Sequence, residues 1–146
     1  MDNSATPSRN RGPAGVVAPM RIGIVAGEAS GDQLGARLLR SLRVYFPEMR
    51  VEGIGGPEMQ QQGCRSLHPM ERLSVLGLTE IFGRYLELRR LRKQLIAHFL
   101  ANPPDVFIGV DSPGFNLGLE QRLRDAGIPT VHYVSPQVWA WRTWRV

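Results

Sequence analysis

Cysteine occurs once in the 146 residues, as Cys64. That excludes an internal disulfide framework and a cysteine-based zinc site, and it fits a reducing compartment. Lysine is equally scarce: of 18 basic residues only Lys93 is not arginine. No apolar run approaches the roughly 18 residues that would span a bilayer, so no transmembrane helix is expected. Residues 1–20 are interrupted by Pro7, Pro13 and Pro19. They lack the apolar stretch of about 7–15 residues that a secretory signal needs. The chain has no G-x-S-x-G turn, no P-loop and no G-x-G-x-x-G spacing. His68, His98 and His132 are scattered, without the ligand spacing of a metal site.

What is present is an ordinary globular composition, 42% hydrophobic and 21% charged. The length fits one domain. The formal net charge of +5 suits nucleic acid, anionic lipid or a phosphorylated ligand, and composition does not choose among them. Residues 1–20 read as a disordered tail, rich in small residues and proline without apolar periodicity. The domain is expected over 21–146.

Strand and helix patterns then alternate. Residues 21–26 form a β-rich run, and Leu34, Leu38, Leu39, Leu42 and Phe46 space a helix over 31–46. Residues 51–54 read as a weaker strand, followed by Gly55, Gly56 and a short helix opened by Pro57. Residues 73–78 are ambiguous by period. A long helix is expected over 79–100 with Leu88, Leu91, Leu95, Ile96 and Phe99 on one face, stopped by Pro103 and Pro104. A strand over 105–110, a helix over 116–126 capped by Gly127, and a strand over 130–134 complete the pattern. This alternation predicts an α/β fold, a parallel sheet with helices on both faces.

Ligands of such sheets bind beyond the carboxyl ends of the strands. Four loops would share that rim: 27–32, 55–57, 111–116 and 135–141. In the first, Glu28 and Asp32 would repel a phosphate but can accept hydrogen bonds from sugar hydroxyls. The alternative is a tight turn in which Asp32 helps start the helix. Asp111, at the end of its strand, is a candidate general base, or an aspartate bonding its own turn. Trp139, Trp141 and Trp144 lie among Arg142 and Arg145, as a ligand or hinge surface or as a helix packing its aromatics inward. Arg84, Arg89, Arg90, Arg92 and Lys93 make the long helix basic, as a membrane-surface helix or a solvated face would be.

Four segments together resemble the lipid-A-disaccharide synthases. They are Val25-Ala-Gly-Glu-Ala-Ser-Gly-Asp32, Gly55-Gly-Pro-Glu-Met59, Pro104 to Asp111 with Phe115-Asn116, and His132-Tyr-Val-Ser-Pro-Gln-Val-Trp-Ala-Trp-Arg142. Gly114 departs from the pattern, standing where some relatives carry an acidic residue. The resemblance implies the first, Rossmann-like half of a GT-B glycosyltransferase, the second half carrying most of the UDP-sugar site. The implied reaction joins UDP-2,3-diacylglucosamine to 2,3-diacylglucosamine 1-phosphate, with inversion and release of UDP. It implies no cofactor, no metal and no nucleic-acid partner, and work at the cytoplasmic surface of the bacterial inner membrane.

On this mapping Asp111 is the general base for the acceptor's 6-hydroxyl. Glu28, Ser30 and Asp32 line the acceptor side, and Asn116 supports the Asp111 loop. Ser135, Trp139, Trp141 and Arg142 belong to a cleft or hinge. The 146 residues alone are expected to be inactive and to self-associate through a surface meant for the second half. The alternative is a stand-alone Rossmann-like binding module without transferase activity.

Overall fold

The computed structural model describes residues 18–74 and 81–134. Five strands, β1 (Arg21–Ala26), β2 (Arg50–Ile54), β3 (Cys64–Ser66), β4 (Val106–Val110) and β5 (Thr130–Tyr133), form one sheet in the order β3-β2-β1-β4-β5. Every pairing is parallel. Among the described residues four α-helices, α1 (Ala29–Tyr45), α2 (Pro57–Gln61), α3 (Ile81–Ala101) and α4 (Pro113–Asp125), and a short 3-10 helix, Met70–Arg72, connect them.

The central strands are apolar along their length because helices cover both faces. On one face Ile22, Ile24, Ala26, Ile108 and Val110 pack with Leu39 of α1 and Met59 of α2. On the other, Val25, Ile54 and Phe107 pack with Leu91, Leu95 and Phe99 of α3 and Phe115, Leu119 and Leu123 of α4. Phe99 and Phe107 meet edge to face with centroids 5.6 Å apart, a favoured aromatic arrangement. Cys64 is buried in the first of these layers. Burial, with the nearby Asp32 and Glu52 carboxylates, pushes its thiol up to about 12, so it is an inert core residue.

Two features differ from the sequence reading. β3 spans only three residues, too few to show a period. Helix α4 starts at Pro113 rather than residue 116. A proline in the first helical turn has no amide to leave unpaired, and its fixed φ suits the helix. The Phe115 and Asn116 amides bond back to Ser112 O at 3.1 and 2.9 Å. Gly127 follows α4 with φ +88°, the left-handed residue that commonly ends a helix.

The strand order reverses direction at β1. The chain proceeds outward through β2 and β3, then returns to place β4 on the other side of β1. The crevice between the carboxyl ends of β1 and β4 is therefore the topological switch point, the usual ligand position in open α/β sheets.

Candidate functional site

Three of the four loops singled out in the sequence are described, and the parallel sheet sets them on one rim. The fourth, with Ser135, Trp139, Trp141 and Arg142, lies outside the described residues. The loops after β1 and β4 touch at Gly27. A Cβ on Gly27 would come within 2.8 Å of Ser112 Oγ and 3.2 Å of Leu73 Cβ. Any larger residue would push the two loops apart.

Asp32 lies in the first turn of α1 and is only 3% exposed. Its Oδ1 accepts hydrogen bonds from the Gly56 and Met59 amides at 2.9 and 3.0 Å, and its Oδ2 from the Glu58 amide at 3.0 Å. Those amides open α2, whose own N-cap, Gly56, has no side chain to supply an acceptor. Asp32 thus caps α2 from a distant part of the chain, matching negative charge to a helix N-terminus. Gly56 is required for it, because a Cβ there would fall within 2.5 Å of Asp32 Oδ2. The carboxylate read from sequence as a sugar-hydroxyl acceptor is turned inward, and its oxygens hold backbone amides. Glu28 and Ser30, by contrast, are exposed on the rim.

The β2 loop is fixed further by Ser66. Its hydroxyl accepts from the Gly55 amide at 3.1 Å and donates to His68 O at 2.7 Å. His68 Nδ1 lies 2.9 Å from Arg72 Nη1. Partial burial, then the Arg72 charge and His98, hold His68 below the usual histidine range. It is therefore neutral near pH 7, with Nδ1 accepting from the guanidinium. A cavity of about 350 Å³ runs between Gly55-Gly56 and His68.

The β4 loop is built differently. Asp111 has φ +48° and Ser112 φ +43°, the only non-glycine residues with positive φ among those described. Two consecutive residues in the left-handed region are sterically costly and persist only where the surroundings over-determine them. The surroundings are identifiable. Asn116, fully buried, points Nδ2 at Asp111 O, Val25 O and Val110 O at 3.0, 3.1 and 3.3 Å. Arg92 reaches across from α3, its Nε and Nη2 donating to Phe115 O and Gly114 O at 3.2 and 3.0 Å. Its guanidinium also sits 5.2 Å from the centroid of the Phe115 ring, within cation–π range. The Asp111 amide donates to Tyr133 O at 2.9 Å. The result is a half-buried aspartate held at the switch point.

Arg92 therefore leaves the basic set grouped on α3 in the sequence. Its side chain braces the β4 loop, because it lies four residues after Leu88 and three before Leu95, on the inward side of the helix. Arg84 is half-buried, with Nε and Nη2 shielded from solvent. Arg89, Arg90 and Lys93 are exposed, beside the exposed Tyr85 and Leu86. Sequence reasoning also missed the bond from His132 Nδ1 to Glu120 Oε2 at 2.8 Å, which satisfies a glutamate only 2% exposed. No group of three or more metal-ligating side chains occurs among the described residues, nor is any described helix long and apolar enough to cross a membrane.

A five-stranded parallel sheet with this strand order, helices on both faces and an aspartate at its switch point defines a Rossmann-like domain. It superposes on a crystal structure of a glycotransferase of kitacinnamycin with TM-score 0.55 and 20% identity, covering 86% of this chain and 34% of that one. That likeness concerns the fold alone. A family model described as lipid-A-disaccharide synthetase matches residues 22–146, and the chain belongs to that family. It is 59% identical over 127 residues to the lipid-A-disaccharide synthase of Pseudoalteromonas translucida, covering 87% of this chain and 33% of the relative. Against the Psychromonas ingrahamii protein of the same description it is 54% identical over 128 residues, covering 88% and 34%. For the Pseudomonas fluorescens protein the figures are 59% over 130 residues, 89% and 35%. The chain spans about a third of the length of these curated relatives.

Proposed function

We propose that these residues form the acceptor side of a lipid-A-disaccharide synthase, with Asp111 as the general base. In the reaction implied, Asp111 takes the proton from the 6-hydroxyl of 2,3-diacylglucosamine 1-phosphate. That oxygen forms its bond to the anomeric carbon of UDP-2,3-diacylglucosamine from the face opposite the leaving group. The bond to UDP breaks, UDP leaves with the electron pair, and the configuration inverts. Neither metal nor cofactor enters this scheme.

The observation that carries the reading is the left-handed backbone of Asp111 and Ser112 at the switch point, braced by Asn116 and Arg92. Such bracing favours a catalytic carboxylate, because a general base must be fixed within hydrogen-bond reach of the proton it removes. Exposed Glu28 and Ser30 are offered to acceptor hydroxyls. Asp32 and Asn116 act one step removed, as positioning residues for the two loops. The acceptor-side domain is taken as 21–146, with 1–20 a tail and Ser135, Trp139, Trp141 and Arg142 at a cleft or hinge.

Donor binding is assigned to the part of the family's length that this chain does not span, so the 146 residues alone should not turn over. The exposed basic face of α3, Arg89, Arg90 and Lys93, is assigned to an anionic membrane surface, consistent with acylated substrates. The test is Asp111→Asn in a protein of full family length. Turnover should fall by about 10²–10⁴-fold, the range for a lost general base, with acceptor affinity little changed. Turnover within a few-fold of the wild type would return Asp111 to a turn-forming role.

A further inference from the structure

The opposite end of the sheet carries a cluster that plays no part in that chemistry. Arg21 opens β1 and Arg50 opens β2, and the two are paired side by side in the parallel register. Arg65 of β3 is paired with Glu52 of β2. Alternation along the strands puts Arg21, Arg50, Glu52 and Arg65 on the same face of the sheet. That face is the one covered by α3, since His98 Nε2 contacts Glu52 Oε1 at 2.7 Å. These residues, with His98 and Asn102, line a cavity of about 1180 Å³. Strand length separates it from the carboxyl rim by about 16 Å, at roughly 3.3 Å per residue.

The charges in the cavity do not balance. Glu52 is engaged by His98 and forms no ion pair with Arg65. Asp105, beside the start of β1, uses Oδ2 to accept the Arg21 backbone amide at 2.8 Å. Arg43, which also lines the cavity, is committed to the carbonyls of Pro47, Met49 and Gln62. No described residue accepts a hydrogen bond from the guanidinium of Arg21, Arg50 or Arg65. Like charges directly paired across strands are destabilising, so Arg21 beside Arg50 needs another reason to be there. Complementing the negative C-terminal end of α3 is one candidate. The last turn is instead closed by Asn102, whose N and Nδ2 donate to His98 O at 2.8 and 3.2 Å, and no described arginine donates to a carbonyl of that turn.

We propose that this cavity is a binding site for a soluble, multiply charged phosphorylated small molecule, held by Arg21, Arg50 and Arg65. Guanidinium groups fork bidentately onto phosphoryl oxygens. A dianionic or more highly charged ligand would also relieve the repulsion between the paired arginines. The volume lies just above the roughly 300–1,000 Å³ of common small-molecule pockets, and exceeds what one phosphate needs. Because the site lies at the amino edge, its ligand is not the substrate of the rim. It would act as an effector or a stabilising ion, whatever reaction the rim performs.

The experiment is calorimetric titration of the purified chain with inorganic tripolyphosphate at low salt and pH 7. Saturable one-to-one binding that weakens with salt is expected. The triple variant Arg21→Gln, Arg50→Gln, Arg65→Gln should raise Kd at least about tenfold, as expected for lost charge-assisted bonds. These side chains are exposed, and a thermal melt checks that the variant folds. The control Arg37→Gln, Arg40→Gln, Arg122→Gln removes equal charge from exposed positions on α1 and α4 and should leave Kd within about twofold. No saturable binding by the wild type, equal binding by the cavity variant, or equal loss in both triple variants would overturn the site.

Discussion

The loops after β1 and β4 meet at one point, and each carries an aspartate near a helix start, yet the two are built on opposite plans. In the first, the charge is turned inward: Asp32 is buried, accepts three backbone amides and ties α1 to α2. Its backbone is relaxed, with no positive φ. In the second, the strain lies in the backbone, and the surrounding side chains supply the restraint. Asn116 bonds Asp111 O directly and Arg92 fixes the following turn through Gly114 O and Phe115 O, around two left-handed residues of which serine is the poorly suited one. The same side chain is a brace where its oxygens are committed to amides, and a candidate reagent where the fold is strained to present it. Burial and backbone geometry decide between these, and neither is visible in the residue's name.

The largest expected effect separates the two roles directly. Asp111→Asn should cost turnover by orders of magnitude and leave stability nearly intact. Asp32→Ala should do the reverse. It leaves three amides without their acceptor, two of them in buried bonds. Lost bonds to a charged group and buried donors left unsatisfied together cost roughly 3 kcal/mol. Urea unfolding should show the midpoint fall, while acceptor affinity per folded molecule stays near that of the wild type. A stable Asp32→Ala protein with weakened acceptor binding would restore Asp32 to the ligand side.

Asn116→Ala should be intermediate and affect both readouts. Removing Nδ2 leaves Val25 O, Val110 O and Asp111 O short of a donor. The expected destabilisation is about 1–3 kcal/mol. The freed Asp111 loop should also lower turnover in a protein of full family length. Denaturant midpoints and kcat measured on the same preparation check both halves. Destabilisation without a kcat effect would make Asn116 a core residue only.

The sheet was legible because its signals are local and repeated. Ile22, Ile24, Val106 and Val110 sit in apolar runs bounded by glycine and proline, and the leucines of α1 and α3 keep a helical period. The short β3 was not legible, since three residues hold no period and its pairing depends on β2. Asp111 could be singled out because it ends the strongest strand in the chain. Its left-handed backbone could not, because that depends on Asn116 and Arg92 arriving from two helices. Asp32 stayed open between a sugar-hydroxyl acceptor and a helix-starting turn residue for the same reason. Its partners, Gly56, Glu58 and Met59, lie 24–27 residues further on, and only the β1–β2 pairing brings them to it. The spacing that could have reassigned Arg92 was present: it falls on the apolar stripe of α3, between Leu88 and Leu95.

The smallest expected effect bears most closely on strain. Ser112 has φ +43° and is a poor residue for that region, since its Cβ crowds the backbone there. Glycine adopts positive φ without that cost, but it also enlarges the conformational freedom of the unfolded chain. If the left-handed geometry is held against a real penalty, relief exceeds the entropic loss, and Ser112→Gly gains about 0.5–1 kcal/mol in urea unfolding. The Ser112 Oγ contact near Gly27 is lost in the same variant, so the loops after β1 and β4 become less tightly spaced. The same change should therefore lower kcat in a protein of full family length, because a looser turn holds Asp111 less firmly against its hydroxyl. Greater stability with lower turnover is the signature of strain retained for position. A variant less stable than the wild type would mean that the turn is comfortable for serine, and that the bracing by Asn116 and Arg92 serves packing alone.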